Sequence, residues 1–423
     1  MIRFILKGVI RDKNRSRLPS IVVATGVMFA VFLHCYLTGI LGDMADFTAK
    51  FTSGHVKVVT NGYRENMDIS PLDLALDNSA ALRNSLTEQH PSMQWVERIS
   101  TGGLIDMPDE NGETLKQGPA SALAVDLLTP GSAEAERLNL DKVLVKGSIP
   151  DTPGQILISD EFAGNLGASP GDMVTFIGST MYGSMTIVNF TITGTIRYGI
   201  NMLDRGAVIM DIADARMALD MEDAASEILG FFSTMHYDDE RATSISENFN
   251  MSNRGSGEFD PVMIRLRDQN MMGPMLDMMK GMITIISTVF LMALAIILWN
   301  TGLIGGLRRY GEVGLRLAVG ETRGHIYRSM LAESLAVGII GSIAGTVAGL
   351  LLAYWVQVKG IDITGMLKDS TMLMPGVLRT RITPPAFYIG FIPGILSTLL
   401  GTMLSGIGIY KRETSSLFKE LQA

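Results

Sequence analysis

The residues able to act as ligands, acids or nucleophiles are few and scattered. The five histidines, His34, His55, His90, His236 and His325, include no HExxH pair and no pair four residues apart, the spacing that sets two imidazoles on one helical face for zinc. Gly-Lys never occurs, so no P-loop is present. Cys35 stands alone in an apolar run and reads as a packing residue, with no disulfide or Cys-based zinc site to form. Six methionines crowd Met271–Met282. Soft thioethers can ligate Cu(I), but without a Cys or a His pair beside them they read as an adaptable apolar surface. Met275 and Met279, with Phe47 and Phe51, would then line an unselective greasy cleft. The charges with a defined helical spacing lie further on. Arg308, Glu312 and Arg316 recur every four residues and share a face, in the favourable Glu-before-Arg order. Val313 and Leu317 form an apolar face for lipid or a partner. Gly320 can close this helix in a left-handed cap, and Thr322 can cap the next one. No catalytic residue and no metal site emerges.

The elements that would position this segment follow from hydropathy and charge. The 423 residues are 18% charged with a net charge of −8 and a mean hydropathy above zero, the composition of a chain partly in a membrane. Ile21–Leu41 contains no Asp, Glu, Lys or Arg and is long enough to cross a bilayer. It is too long for the apolar region of a cleaved signal peptide. Three more runs follow: Met282–Gly306, Leu335–Val356 and Ala386–Ile409. Residues 1–20 are basic, whereas 43–277 hold 35 acids against 16 bases. By the positive-inside rule both termini and the Arg308–Arg328 segment are cytoplasmic, and the acidic stretch lies outside, with Arg379 and Arg381 as outer exceptions. The expected layout is 1–20 basic N-terminus, 21–42 first span, 43–276 external domain, 277–306 second span, 307–325 cytoplasmic helix, 326–356 third span, 357–384 external loop, 385–410 fourth span and 411–423 cytoplasmic tail. In the external domain, strand-like alternation predicts His55–Thr60, Gln155–Ser159, Met173–Ile177, Met185–Ile196, Ala207–Met210, Ile228–Phe232 and Val262–Arg267. Helices are expected over Ala80–Gln89, Asp160–Leu166, Ile212–Leu219 and Glu240–Phe249, and a flexible loop over Met251–Glu258. The fold class is thus an α-helical membrane protein with four transmembrane helices and a large α+β domain inserted between the first two.

Within the third span, Gly341, Gly345 and Gly349, with Gly338 nearby, make a groove for close helix approach, either by a second subunit or by another span of this chain. Pro393 is expected to kink the last span. Glu333 lies near the cytoplasmic end of the third span, as an interfacial acid or as a functional one.

The run Arg308-Arg309-Tyr310-Gly311-Glu312-Val313-Gly314-Leu315-Arg316-Leu317-Ala318-Val319-Gly320-Glu321-Thr322-Arg323 resembles the signature segment of FtsX-like ABC transporter permeases, with Glu321 where that family has a small residue. Val145-Lys146-Gly147, Gln155–Ile158, Leu166-Gly167 and Gly171–Val174 look like a MacB-type periplasmic core. His55–Tyr63 is similar to the lipoprotein-releasing LolC/LolE branch. The resemblance implies Porter- and Sabre-like lobes outside and a coupling helix inside. That helix would use Arg308, Arg309, Glu312, Val313, Gly314, Arg316, Leu317, Gly320 and Arg323 against a separate ABC ATPase dimer, which would bind ATP and Mg. It further implies a second permease subunit, the same chain or a related one, and a periplasmic lipoprotein carrier. Membrane lipid is a partner and nucleic acid is not. The expected location is the inner membrane, and the expected role is non-catalytic: ATP-driven motion transmitted to release lipoproteins, with MacB-like efflux or FtsX-like control of an envelope hydrolase as alternatives.

Overall fold

In the computed structural model, residues 13–109, 112–198, 204–269, 272–307, 310–363 and 377–411 are described. They divide into two compact units, one of residues 42–276 with 362–377, and one of residues 1–41, 277–361 and 378–423.

The first unit is built on a ten-stranded sheet. Its strands are β1 (Val56–Thr60), β2 (Met93–Pro108), β3 (Thr114–Val125), β4 (Leu144–Gly147), β5 (Gln155–Ser159), β6 (Met173–Ser179), β7 (Met185–Ile196), β8 (Ala207–Asp211), β9 (Glu227–Phe232) and β10 (Pro261–Arg265). They run in the order β10-β1-β9-β2-β3-β8-β5-β7-β4, with β6 pairing β2 and β7. The β3–β8 and β5–β7 pairs are parallel, and the other pairs are antiparallel. Strands buried on both faces need continuous apolar runs, as Ile156-Leu157-Ile158 supplies in β5. Ser159 then accepts the Phe162 N–H at 3.1 Å to start the helix Asp160–Leu166, and Gly167 (φ 76°) closes it.

The two largest apolar clusters lie on this sheet. Leu86 and Phe249, from the helices Ser79–Gln89 and Asp239–Ser252, pack with Val56, Val58, Trp95 and Phe232. Phe162 and Ala215, from Asp160–Leu166 and Ile212–Ala218, pack with Ile99, Ile105, Phe176 and Val208. The long strand β2 runs through both cores. It and β3 form a hairpin that sequence patterning missed. Within Met251–Glu258, expected as a flexible loop, the helix continues to Ser252 and the rest is exposed loop that folds over Asp260, whose carboxylate accepts the Gly257 N–H at 2.7 Å.

His55 is 1% exposed, and its Nδ1 accepts the Phe232 N–H at 2.8 Å while its ring stacks on Phe232 at 4.8 Å. Burial pushes this imidazole down to about 4, against a smaller raising effect of Asp46. The unfolded chain therefore binds the proton more readily. The associated stability is complete above pH 6.5 and is lost as pH falls towards 4, up to about 3 kcal/mol. His55→Asn, which keeps an acceptor near Nδ1 and cannot titrate, should flatten the melting-temperature profile between pH 6.5 and 4; a slope equal to wild type would count against this assignment.

Among the described residues, four helices are long and apolar enough to cross a membrane and lie mainly in the second unit: α1 (Lys13–Thr48), α2 (Met272–Leu307), α4 (Arg323–Lys359) and α5 (Phe391–Lys411), with the short α3 (Tyr310–Ala318) before α4. α1 buries one face. Val23, Val27, Val31 and Cys35 are fully buried, packed with Leu294 and Leu298 of α2 and Ala353 of α4. The glycine groove faces α1 of the same chain. A Cβ on Gly341 would lie 2.7 Å from Val23, one on Gly345 2.4 Å from the Ala24 carbonyl, and one on Gly349 2.8 Å from the Met28 carbonyl, while Gly338 faces Thr398 of α5. The groove is thus filled from within. Pro393 is the third residue of α5, in the first turn, where its missing N–H costs little and no mid-span kink follows.

Candidate coupling segment

Arg308 and Arg309 lie outside the described residues. From Tyr310 the chain forms α3, and its end has the geometry the sequence asks of Gly320. The Gly320 N–H donates to the Leu317 carbonyl at 3.1 Å, and the Glu321 N–H donates to that of Arg316 at 3.0 Å, with Gly320 at φ 101°. These paired 5→2 and 6→1 bonds form a Schellman closure, which a glycine permits without a Cβ clash. Thr322 occupies the N-cap position of α4 with extended backbone, yet its side chain accepts no capping bond. Its carbonyl instead receives the His325 and Ile326 N–H groups. Arg323 opens α4, so residues 323–325 belong to the spanning helix.

The two faces of α3 have distinct roles. Val313 (3% exposed) packs with Leu317 onto Ile326 and Met330 of α4. The apolar pair expected to meet lipid or a partner is therefore used internally, and it locks α3 to the start of the span. Gly314 is buried beside it. The outward apolar pair is Leu315, 54% exposed, and Val319, 81% exposed, again four residues apart. Sequence reading missed it. The signal that finds it is the apolar Ile326 and Met330 downstream, which claim the other face. Glu312 and Arg316 form the expected i,i+4 pair at 3.6 Å, and Arg316 also approaches Glu321 at 4.0 Å. Both are partly exposed, so each pair contributes only a few tenths of a kcal/mol, about 0.3–0.5.

Glu333 is half-buried beside a cavity of about 50 Å³ lined by the hydroxyl residues Thr301, Ser334, Thr398 and Thr402. Ser334 fixes one side by donating to the Thr398 carbonyl at 2.9 Å. Of the residues expected to line a greasy cleft, Phe47 and Phe51 meet with tilted rings at 4.6 Å and join the apolar cluster of Leu138, Leu140 and Leu157. Met275 and Met279 are half-buried along α2, where Met278 and Met282 are exposed.

The chain is similar to several known proteins. Residues 284–414 match the family described as FtsX-like permease C-terminal. The chain is 35% identical over 92 residues to the macrolide export ATP-binding/permease protein MacB 1/2 of Paracoccus denitrificans (strain Pd 1222), covering 22% of this chain and 14% of that protein; the match thus spans about a seventh of the relative's length. The periplasmic region of MacB from Actinobacillus actinomycetemcomitans aligns with a TM-score of 0.34 and 12% identity, over 51% of this chain and 90% of that one. The family match lies across α2 to α5, so this part of the chain carries an FtsX-like permease C-terminal domain.

Proposed function

We propose that this chain is the membrane subunit of a force-transmitting ABC complex, receiving motion from a separate ATPase on α3 and passing it through α4 to the domain between the first two spans. The observation that carries this reading is the two-faced α3: Val313 and Leu317 are locked onto α4, while Leu315 and Val319 stand free of the fold. A side chain pushed at Leu315 moves α4 because the inner face has no slack. In this reading α3 is cytoplasmic and the large domain periplasmic, in the inner membrane. The cargo we favour is a lipoprotein, released outward. Export of a small amphipathic compound is the second reading, favoured by the likeness to a macrolide exporter.

Leu315→Asp with Val319→Asp should abolish stimulation of the co-expressed ATPase by the permease, with membrane insertion unchanged; retained stimulation would remove α3 from the contact. Glu312→Ala with Arg316→Ala should weaken coupling more mildly, because the pair is exposed and only stiffens α3. Affinity purification followed by mass spectrometry reads the cargo. A bound acylated lipoprotein supports release, a small-molecule cargo supports efflux, and a soluble envelope hydrolase replaces both with regulation. Absence of any ABC ATPase from the complex would defeat the proposal itself.

A further inference from the structure

A cavity of about 520 Å³ lies within the first unit, against one face of the sheet. Register sets its floor. Ser100 pairs with Leu123, Leu123 with Ile209 and Ser121 with Ala207, so these side chains share one face of β2, β3 and β8. One wall is aromatic: Phe51, carried on the π-helical turn Ala49–Ser53 that follows α1, meets Tyr198 edge-on at 4.9 Å. Also in its lining, Lys57 and Glu227, 7% and 4% exposed, form an ion pair, and Tyr63 is buried. Thr52, Pro119, Ser121 and Arg205 are the exposed lining residues and mark its mouth.

Protein interiors leave few voids larger than a water, and this cavity has the size and mixed lining of a small-molecule site. Holding an ion pair out of water costs several kcal/mol per ion before pairing offsets it, so Lys57 and Glu227 are a costly wall for a purely structural void. Glu227 neutralises Lys57, which leaves Arg205 as the unbalanced charge among the lining residues. We propose that the cavity binds a small amphiphile with an acidic head, its apolar body between Phe51, Tyr198, Leu123 and Ile209 and its head held by Arg205 at the mouth. Of the four residues expected in a greasy cleft, Phe51 lines this cavity. The proposal does not depend on the transport reading.

The test uses the full chain in detergent with two photoreactive probes, a diazirine-bearing C12 carboxylic acid and the corresponding alcohol, and maps labelled peptides by mass spectrometry. The acid is expected to label the strands carrying Leu123 and Ile209, with labelling competed away by unlabelled decanoate. Ser121→Trp fills the mouth from an exposed position and should cut this labelling at least tenfold at an unchanged melting temperature. Arg205→Glu should cut labelling by the acid several-fold and leave labelling by the alcohol unchanged. Label confined to the spanning helices, or undiminished in Ser121→Trp, overturns the site. Equal loss or retention of both probes in Arg205→Glu overturns the acidic head.

Discussion

Glu134→Gln is expected to unfold part of the large domain under conditions where wild type is stable. Glu134 is fully buried and serves two cations. Arg98, also fully buried, donates Nε to one carboxylate oxygen at 2.8 Å, and Arg137 donates Nη1 to the other. Arg98 also donates to the Phe51 carbonyl at 3.0 Å, and Arg137 to Gln94 at 2.6 Å, with its guanidinium 4.2 Å over the Phe231 ring. Burial lowers both guanidinium groups to about 10, and for Arg137 the Arg98 charge adds to it. The carboxylate is therefore the element that makes two buried cations tolerable. Removing one partner of such a set costs about 3–5 kcal/mol, because the remaining charges stay buried without compensation. For a domain of this size that lowers the melting temperature by roughly 6–20 °C. Arg98→Met removes one of two like charges and leaves the Glu134–Arg137 pair intact, so it should cost markedly less. Thermal melts of the two variants decide the matter; if Arg98→Met is as damaging as Glu134→Gln, the anion is not the keystone.

This cluster had no sequence signature. Arg98 and Glu134 are 36 positions apart and come from a strand and a short turn of helix, so no local spacing announces them. The β2–β3 hairpin hid for another reason. Gly102-Gly103, Pro108 and Gly118-Pro119 read as strand breakers, yet a Cβ at Gly103 would sit 2.4 Å from the Phe176 ring and one at Gly118 2.7 Å from that of Phe162. These glycines make room for core aromatics from neighbouring elements. What was legible is what one periodicity settles: four uncharged apolar runs, the β-branched strands, and the glycine that must end α3. Which apolar pair of α3 turns inward was not, since Val313/Leu317 and Leu315/Val319 have the same spacing. That choice is made by the turn at Gly320 and the residues it delivers onto α3.

Gly345→Leu should be severely damaging to the packing of the spans. A Cβ there would lie 2.4 Å from the Ala24 carbonyl oxygen and 2.8 Å from the Val27 Cβ, and a backbone oxygen cannot rotate away. α1 and α4 would have to separate, breaking the neighbouring contacts at Gly341 and Gly349 as well. Overpacking of this kind costs about 1–3 kcal/mol at a well-packed site, and in a membrane close backbone approach is the main source of helix association. The expected result is little monodisperse protein after detergent extraction. Gly281→Ala on α2, where nothing lies within 4 Å, should leave yield unchanged and so controls for the loss of a helical glycine. Gly345→Ala is the informative intermediate. Its methyl group still meets the Ala24 carbonyl, so α4 can insert but must sit slightly off α1, the helix that runs unbroken from Lys13 to Thr48. If force passes from α3 into α4 and then to α1, this variant should insert normally, keep its ATPase partner bound and lose most of the coupled activity. Full coupling in Gly345→Ala at a normal yield would show that motion leaves α4 by another route.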